Sequence, residues 1–106
     1  MHFCKLSDLE LRQMLPGCNA RFIHTDNMTV SYWNLDGGAV IPPHKHPHEQ
    51  VTSLIEGKLE MSVGGECKTI EPGEIVIIPG DVEHSVNALT PCYVIDAFYP
   101  ARDDYR

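Results

Sequence analysis

The sequence predicts an all-β fold, a small closed or rolled barrel, and three observations lead there. Turn-forming residues recur at short intervals: Pro16-Gly17, Gly37-Gly38, Pro42-Pro43, Gly57, Gly64-Gly65, Pro72-Gly73, Pro79-Gly80, Pro91 and Pro100. That density leaves room for strands and little for helices. The segments between them alternate, as in Leu59, Met61 and Val63 against Lys58, Glu60 and Ser62, the period-2 signature of a half-buried strand. At 106 residues and 42% hydrophobic content, the chain builds one core and one domain, residues 1–106. Closing such short strands into a barrel hides edges that an open sheet would expose.

In chain order, "SDLE" at residues 7–10 matches an S-x-x-E capping box and predicts a short helix through Leu15, ended by Pro16-Gly17. Strand-like segments follow at residues 19–24, 28–35, 50–55, 58–63, 67–70, 74–78 and 92–99. Trp33, flanked by Tyr32 and sharing its strand face with Leu35, reads as core or pocket wall.

Composition excludes several partners. Eight Lys and Arg against fifteen Asp and Glu give a formal net charge of -7, which argues against nucleic acid or an anionic membrane surface. "MHFCKLSDLELRQ" lacks the basic start and apolar run of a signal peptide. No apolar stretch approaches the roughly 20 residues of a membrane span. Cys4, Cys18, Cys67 and Cys92 form no C-x-x-C pair, so free structural thiols in a reducing cytoplasm are expected.

The chemistry concentrates in "PPHKHPHEQ", residues 42–50, which holds three of the six histidines. On a strand, residues two apart share a face, so His44 and His46 would project together and could chelate one ion, with Lys45 turned away. Exposed loop histidines are the plainer alternative. His2 is terminal, and His24 lies at a predicted strand end as a surface residue.

Two longer patterns bear on the choice. Gly38, five residues, His44-Lys-His46, three residues, Gln50, six residues, Gly57 resembles the first motif of the cupin family. After a gap of 15 residues, Gly73, five residues, Pro79, then His84 and Asn87 resembles the second. The departures are Asp81 in a glycine slot, Asn87 one residue early, and Gln50 where the family carries glutamate. The resemblance implies a cupin double-stranded β-helix (a small jelly roll) and a metal held by His44, His46, Gln50 and His84. Glu49 falls one residue short of the slot and on the opposite strand face. His48 shares the ligands' parity, but Pro47 swings it aside, and in related cupins this position lines the pocket rim. With a neutral amide in place of a carboxylate, a divalent ion keeps its full charge and suits an anionic substrate. Nitrogen and oxygen donors fit Zn, Ni, Mn, Co or Fe.

Toward the C-terminus, Asp96 alternates with Val94 and Phe98 in "VIDAFYPARDDYR". Such a carboxylate either meets solvent on an edge strand or points inward, where it gains a function or a raised pKa. "HPHEQ" together with D-x-F-x-P-x-R-x-D-Y, residues 96–105, resembles the pectin-degradation (KdgF-type) cupins. These convert the ring form of 4,5-unsaturated uronates from pectin or alginate into linear 5-keto-4-deoxyuronate. The resemblance implies Asp96 as acid/base, Phe98 as pocket aromatic, and a small anionic sugar as partner. Arg102 either contacts the substrate carboxylate or forms a surface salt bridge, and His48 lies at the substrate's rim. Small cupins are commonly dimers, so a homodimer is expected. The same barrel also serves iron-dependent dioxygenases and cyclases, and a non-catalytic sugar or metal sensor is the alternative from another class.

Overall fold

The computed structural model, which describes residues 1–106, contains ten strands: β1 (Arg12–Leu15), β2 (Cys18–His24), β3 (Thr29–Leu35), β4 (Val40–His44), β5 (Glu49–Glu56), β6 (Leu59–Val63), β7 (Glu66–Ile70), β8 (Ile75–Ile78), β9 (His84–Ala88) and β10 (Cys92–Tyr99). They form a six-stranded sheet, β1-β2-β3-β10-β5-β8, and a four-stranded sheet, β4-β9-β6-β7. Every pairing is antiparallel. This is the all-β jelly roll that the sequence predicts. No helix is long and apolar enough to cross a membrane.

Alternation drives the packing. β10 buries Cys92, Val94, Asp96 and Phe98, while the residues between them stay partly exposed. Across the sheet, Val94 lies beside Leu54 and Trp33, a fully apolar row. One step along, Asp96 lies beside Thr52 and Ser31; the next row joins Phe98, Gln50 and Thr29. All of these side chains face inward and are buried. The inner face therefore changes from hydrophobic core at one end to a polar chamber at the other.

The predicted N-terminal helix does not form. Leu6–Asp8 makes a single 3-10 turn without a side-chain cap, and Arg12–Leu15 is a strand paired with β2. An isolated helix of this length is marginal, because nucleation costs more than a few hydrogen bonds return. The open edge of β2 offers ladder bonds instead. Pro16-Gly17 is the hairpin turn between β1 and β2; Gly17 at φ 73 supplies the left-handed position that follows a proline in a type II turn.

Besides β1, two further strands, β4 and β9, lie outside the strand segments predicted from sequence. β4 contains Pro42 and Pro43, which remove ladder donors. It tolerates them at the edge of its sheet, where only β9 pairs with it. His44 and His46 also do not share a strand, contrary to the spacing argument. His44 closes β4, and His46 sits in the connection to β5.

Candidate metal centre and its chamber

Three histidines converge at the polar end of the barrel. His44, at the end of β4, is paired in register with His84, at the start of β9, and their rings lie 4.2 Å apart. The β4–β5 connection brings His46 to 5.0 Å from the His84 ring. One ring nitrogen from each falls within 4.8 Å of the others. That connection is seated by the second motif: Asp81 N–H donates to His46 O at 2.8 Å. Asp81, standing in the family's glycine slot, takes the left-handed backbone with φ 64, a conformation that aspartate tolerates better than most residues. Gly80 is needed for space, because a Cβ there would lie 2.4 Å from Pro47 O.

The backbone sets the tautomer of every ring. Nδ1–H of His44 donates to Pro42 O at 2.8 Å, that of His46 to His48 O at 3.0 Å, and that of His84 to Val82 O at 2.9 Å. Each Nε2 is left as a lone-pair donor, the arrangement that orients metal-binding imidazoles. His84 Nε2 is buried without a partner. His46 Nε2 faces Gln50 Oε1 at 3.1 Å, because the Gln50 amide nitrogen is given to Thr52 Oγ1 at 2.9 Å. Two acceptors facing each other, beside a third that has no partner, call for a cation. The cluster suits a divalent metal, and the residues fit one.

Electrostatics agree. Burial, then the positive charge of Arg102, pushes the His46 pKa down to about 4, and burial lowers that of His84. Both rings are therefore neutral and ligand-competent at neutral pH.

Asp96 lies inward, as one of the two sequence alternatives had it. Its Oδ1 is buried without a partner, and burial raises its pKa from 3.8 to about 6. Thr52, Gln50 and Arg102 oppose that rise. Phe98 sets its ring at 73° to that of His46, 5.7 Å away. Arg102 is buried, with its guanidinium 4.8 Å from the Phe98 ring centre and 4.0 Å from that of Tyr105. It is paired with Asp104 through two bonds of 3.0 and 2.8 Å. His48 is half-buried, its ring 5.4 Å from that of His46 and outside the three-histidine cluster.

His44, His84, Gln50, Asp96, Phe98 and Arg102 thus line one chamber of about 40 Å³. Sequence reasoning assigned no role to Thr52 or Tyr105, which also belong here. Thr52 shares the inward parity of Gln50 and Leu54 on β5, a legible signal. Tyr105 follows Asp104 in the terminal motif, but nothing in its spacing places it over the chamber. The largest concavity, about 310 Å³ between β7 and β8, carries no comparable cluster.

An antiparallel two-sheet jelly roll with three histidines at its polar end defines a small single-barrel cupin. Residues 31–98 match the model of the cupin domain, and the chain belongs to the cupin family. More narrowly it is a KdgF-like cupin. It is 33% identical over 83 residues to the pectin degradation protein KdgF of Dickeya dadantii, covering 76% of each chain. It is 26% identical over 87 residues to an uncharacterized protein of Streptomyces coelicolor, covering 81% and 83%. Among solved structures, KdgF from a Halomonas species superposes with a TM-score of 0.94 at 30% identity, covering 100% of this chain and 99% of that one. An RmlC-like cupin from Shewanella frigidimarina gives 0.95 at 27% identity, covering 100% and 96%.

Proposed function

We propose that this protein is a metal-dependent enzyme that opens the ring of 4,5-unsaturated uronates, in the breakdown of pectin or a related polyuronate. The observation that carries the reading is a buried carboxyl with a pKa of about 6 in one chamber with His44 and His84, whose metal-competent cluster His46 completes. Its likeness to the pectin degradation protein KdgF supports the substrate class.

His44, His46 and His84 would hold the ion, with Gln50 Oε1 as fourth donor. When bound, the ion supplies a Lewis acid whose charge the neutral amide leaves undiminished, suited to a substrate carboxylate. Arg102 lines the same chamber and adds a second positive group. Phe98 walls the ring and excludes water.

Asp96 carries the proton. The substrate is a cyclic enol ether with a free anomeric hydroxyl. Protonated Asp96 gives its proton to C4, and the C4–C5 π pair forms the new C–H bond. The C1–O5 bond breaks, its pair making the C5 ketone, while the anomeric O–H pair makes the C1 aldehyde. The hydroxyl proton returns to Asp96, so atoms and charge balance and no oxidant is required. A carboxyl poised near neutrality suits both halves of this transfer.

The test is to mix metal-loaded protein with unsaturated galacturonate and follow the vinylic proton by NMR. Signal loss should be fast with wild type and should fall to the spontaneous rate with chelated or Asp96→Asn protein. Equal rates in all three would refute the reading.

A further inference from the structure

The chamber is small. At about 40 Å³ it admits little more than a water molecule, whereas sites for small organic ligands span about 300–1,000 Å³. The wall residue it shares with both neighbouring cavities is Tyr105. Besides the chamber, Tyr105 lines a cavity of about 250 Å³ with Met14, Leu15 and Pro42. It also lines one of about 180 Å³ with Arg12, Phe22 and His24. Trp33, Ile41 and His44 are shared with Tyr105 by the chamber and the 250 Å³ cavity, so the two adjoin.

Tyr105 ends a single 3-10 turn, Asp103–Tyr105. The turn is tied by Arg12 Nη1, which donates to Tyr105 O, and by Arg106 Nη2, which donates to Thr25 O at 3.0 Å, while the Tyr105 ring rests 4.9 Å from the Phe22 ring and 4.0 Å from the Arg102 guanidinium. The third tie is the Arg102–Asp104 pair, and it is asymmetric. The Arg102 side chain is 7% exposed while that of Asp104 is 55% exposed. A buried guanidinium requires a counter-charge, and Asp104 reaches in from solvent to supply it. The two-pronged contact with Nε and Nη2 is the one a free carboxylate would make.

We propose that Asp104 is an internal stand-in for the substrate carboxylate on Arg102, and that its displacement releases the Asp103–Tyr105 turn, swinging Tyr105 aside to open the chamber. Asp104 is then a determinant of KM and Tyr105 a gate. Neither touches the reacting atoms, and both act through Arg102 and cavity shape. The carboxylate part of this inference rests on the proposed uronate substrate; the gate does not.

The experiment has one arm for each part. Trp33, the chain's single tryptophan, is 6% exposed and lies on the wall that Tyr105 covers. Acrylamide quenching of its fluorescence therefore reports the gate without any substrate. Asp104→Asn should raise the quenching constant twofold or more and Tyr105→Ala further still. Tyr105→Phe, which keeps the ring, should match wild type, and circular dichroism verifies that each variant is folded. Wild-type quenching in folded Asp104→Asn and Tyr105→Ala would overturn the gate. In the second arm, Asp104→Asn should lower KM for unsaturated galacturonate at least threefold, with kcat within twofold. An unchanged or raised KM would overturn the stand-in. A wild type inert toward uronates would overturn the stand-in and the proposed function together, while the quenching arm still decides the gate.

Discussion

Replacing Asp96 by asparagine should stabilise the metal-free protein at neutral pH while abolishing turnover. Ionised Asp96 sits among buried groups with Oδ1 unpartnered, and its pKa stands at about 6 against an ordinary 3.8. At about 1.4 kcal/mol for each tenfold change in proton affinity, that displacement costs the ionised fold about 3 kcal/mol. The sign follows from linkage. Below pH 3.8 the carboxyl is neutral in both folded and unfolded chains, and the penalty vanishes. It grows between 3.8 and about 6 and is complete above. Asparagine carries no charge at any pH, so the variant's advantage should appear over the same window. Urea denaturation of chelator-treated wild type and Asp96→Asn at pH 7.5 and at pH 3.8 measures it. The low His46 pKa, about 4, destabilises both proteins in acid and cancels in the difference. The expected gain is up to about 3 kcal/mol at pH 7.5, with Tm rising by about 4–8 °C per kcal/mol, and little gain at pH 3.8. Equal or lower stability of the variant at pH 7.5 would mean that the carboxylate is comfortably ionised, and its role as proton donor would fall with it.

Other outcomes follow from the same geometry. His84→Ala should lose bound metal by at least tenfold in metal analysis of the purified protein; undiminished metal would refute the ligand set. Gln50→Glu should bind metal more tightly yet raise KM for the uronate about tenfold, because the added charge halves the pull on the substrate; an unchanged KM would refute that role. On the outer face of the six-stranded sheet, Ile77, Val51, Ala97, Val30 and Ile23 fall in one row across five strands, and Ile77 is 73% exposed. The expected homodimer would bury this apolar row. Light scattering should show a dimer that Ile77→Lys converts to monomer, and a monomeric wild type would refute the pairing.

Much of the barrel is legible because period-2 alternation carries burial along each strand. Parity groups Val94, Asp96 and Phe98 on one face of β10 and Gln50, Thr52 and Leu54 on one face of β5, and the structure turns both faces inward. The misses have local causes. The capping-box pattern at residues 7–10 reports a preference for starting a helix, and the edge of β2 outweighs it. The prolines of β4 speak against a strand wherever an N–H is required, and at a sheet edge it is not. The pairing of His44 and His46 came from an assumed strand; the loop reaches a similar convergence by anchoring His46 O to Asp81.

By itself the sequence determined the barrel class and which residue types meet a metal, since both depend on short-range spacing and side-chain chemistry. Only the tertiary structure decided which way the lone pairs point, because each histidine tautomer is set by a backbone carbonyl two residues away. The state of Asp96 was likewise decided there, because a pKa depends on how completely neighbours remove water. Arg102, either a substrate contact or a surface ion pair on sequence alone, proved to be a buried cation sharing its chamber with the histidines and its charge with Asp104. The walls of that chamber come from strands distant in the chain, and spacing along one strand carries no record of them.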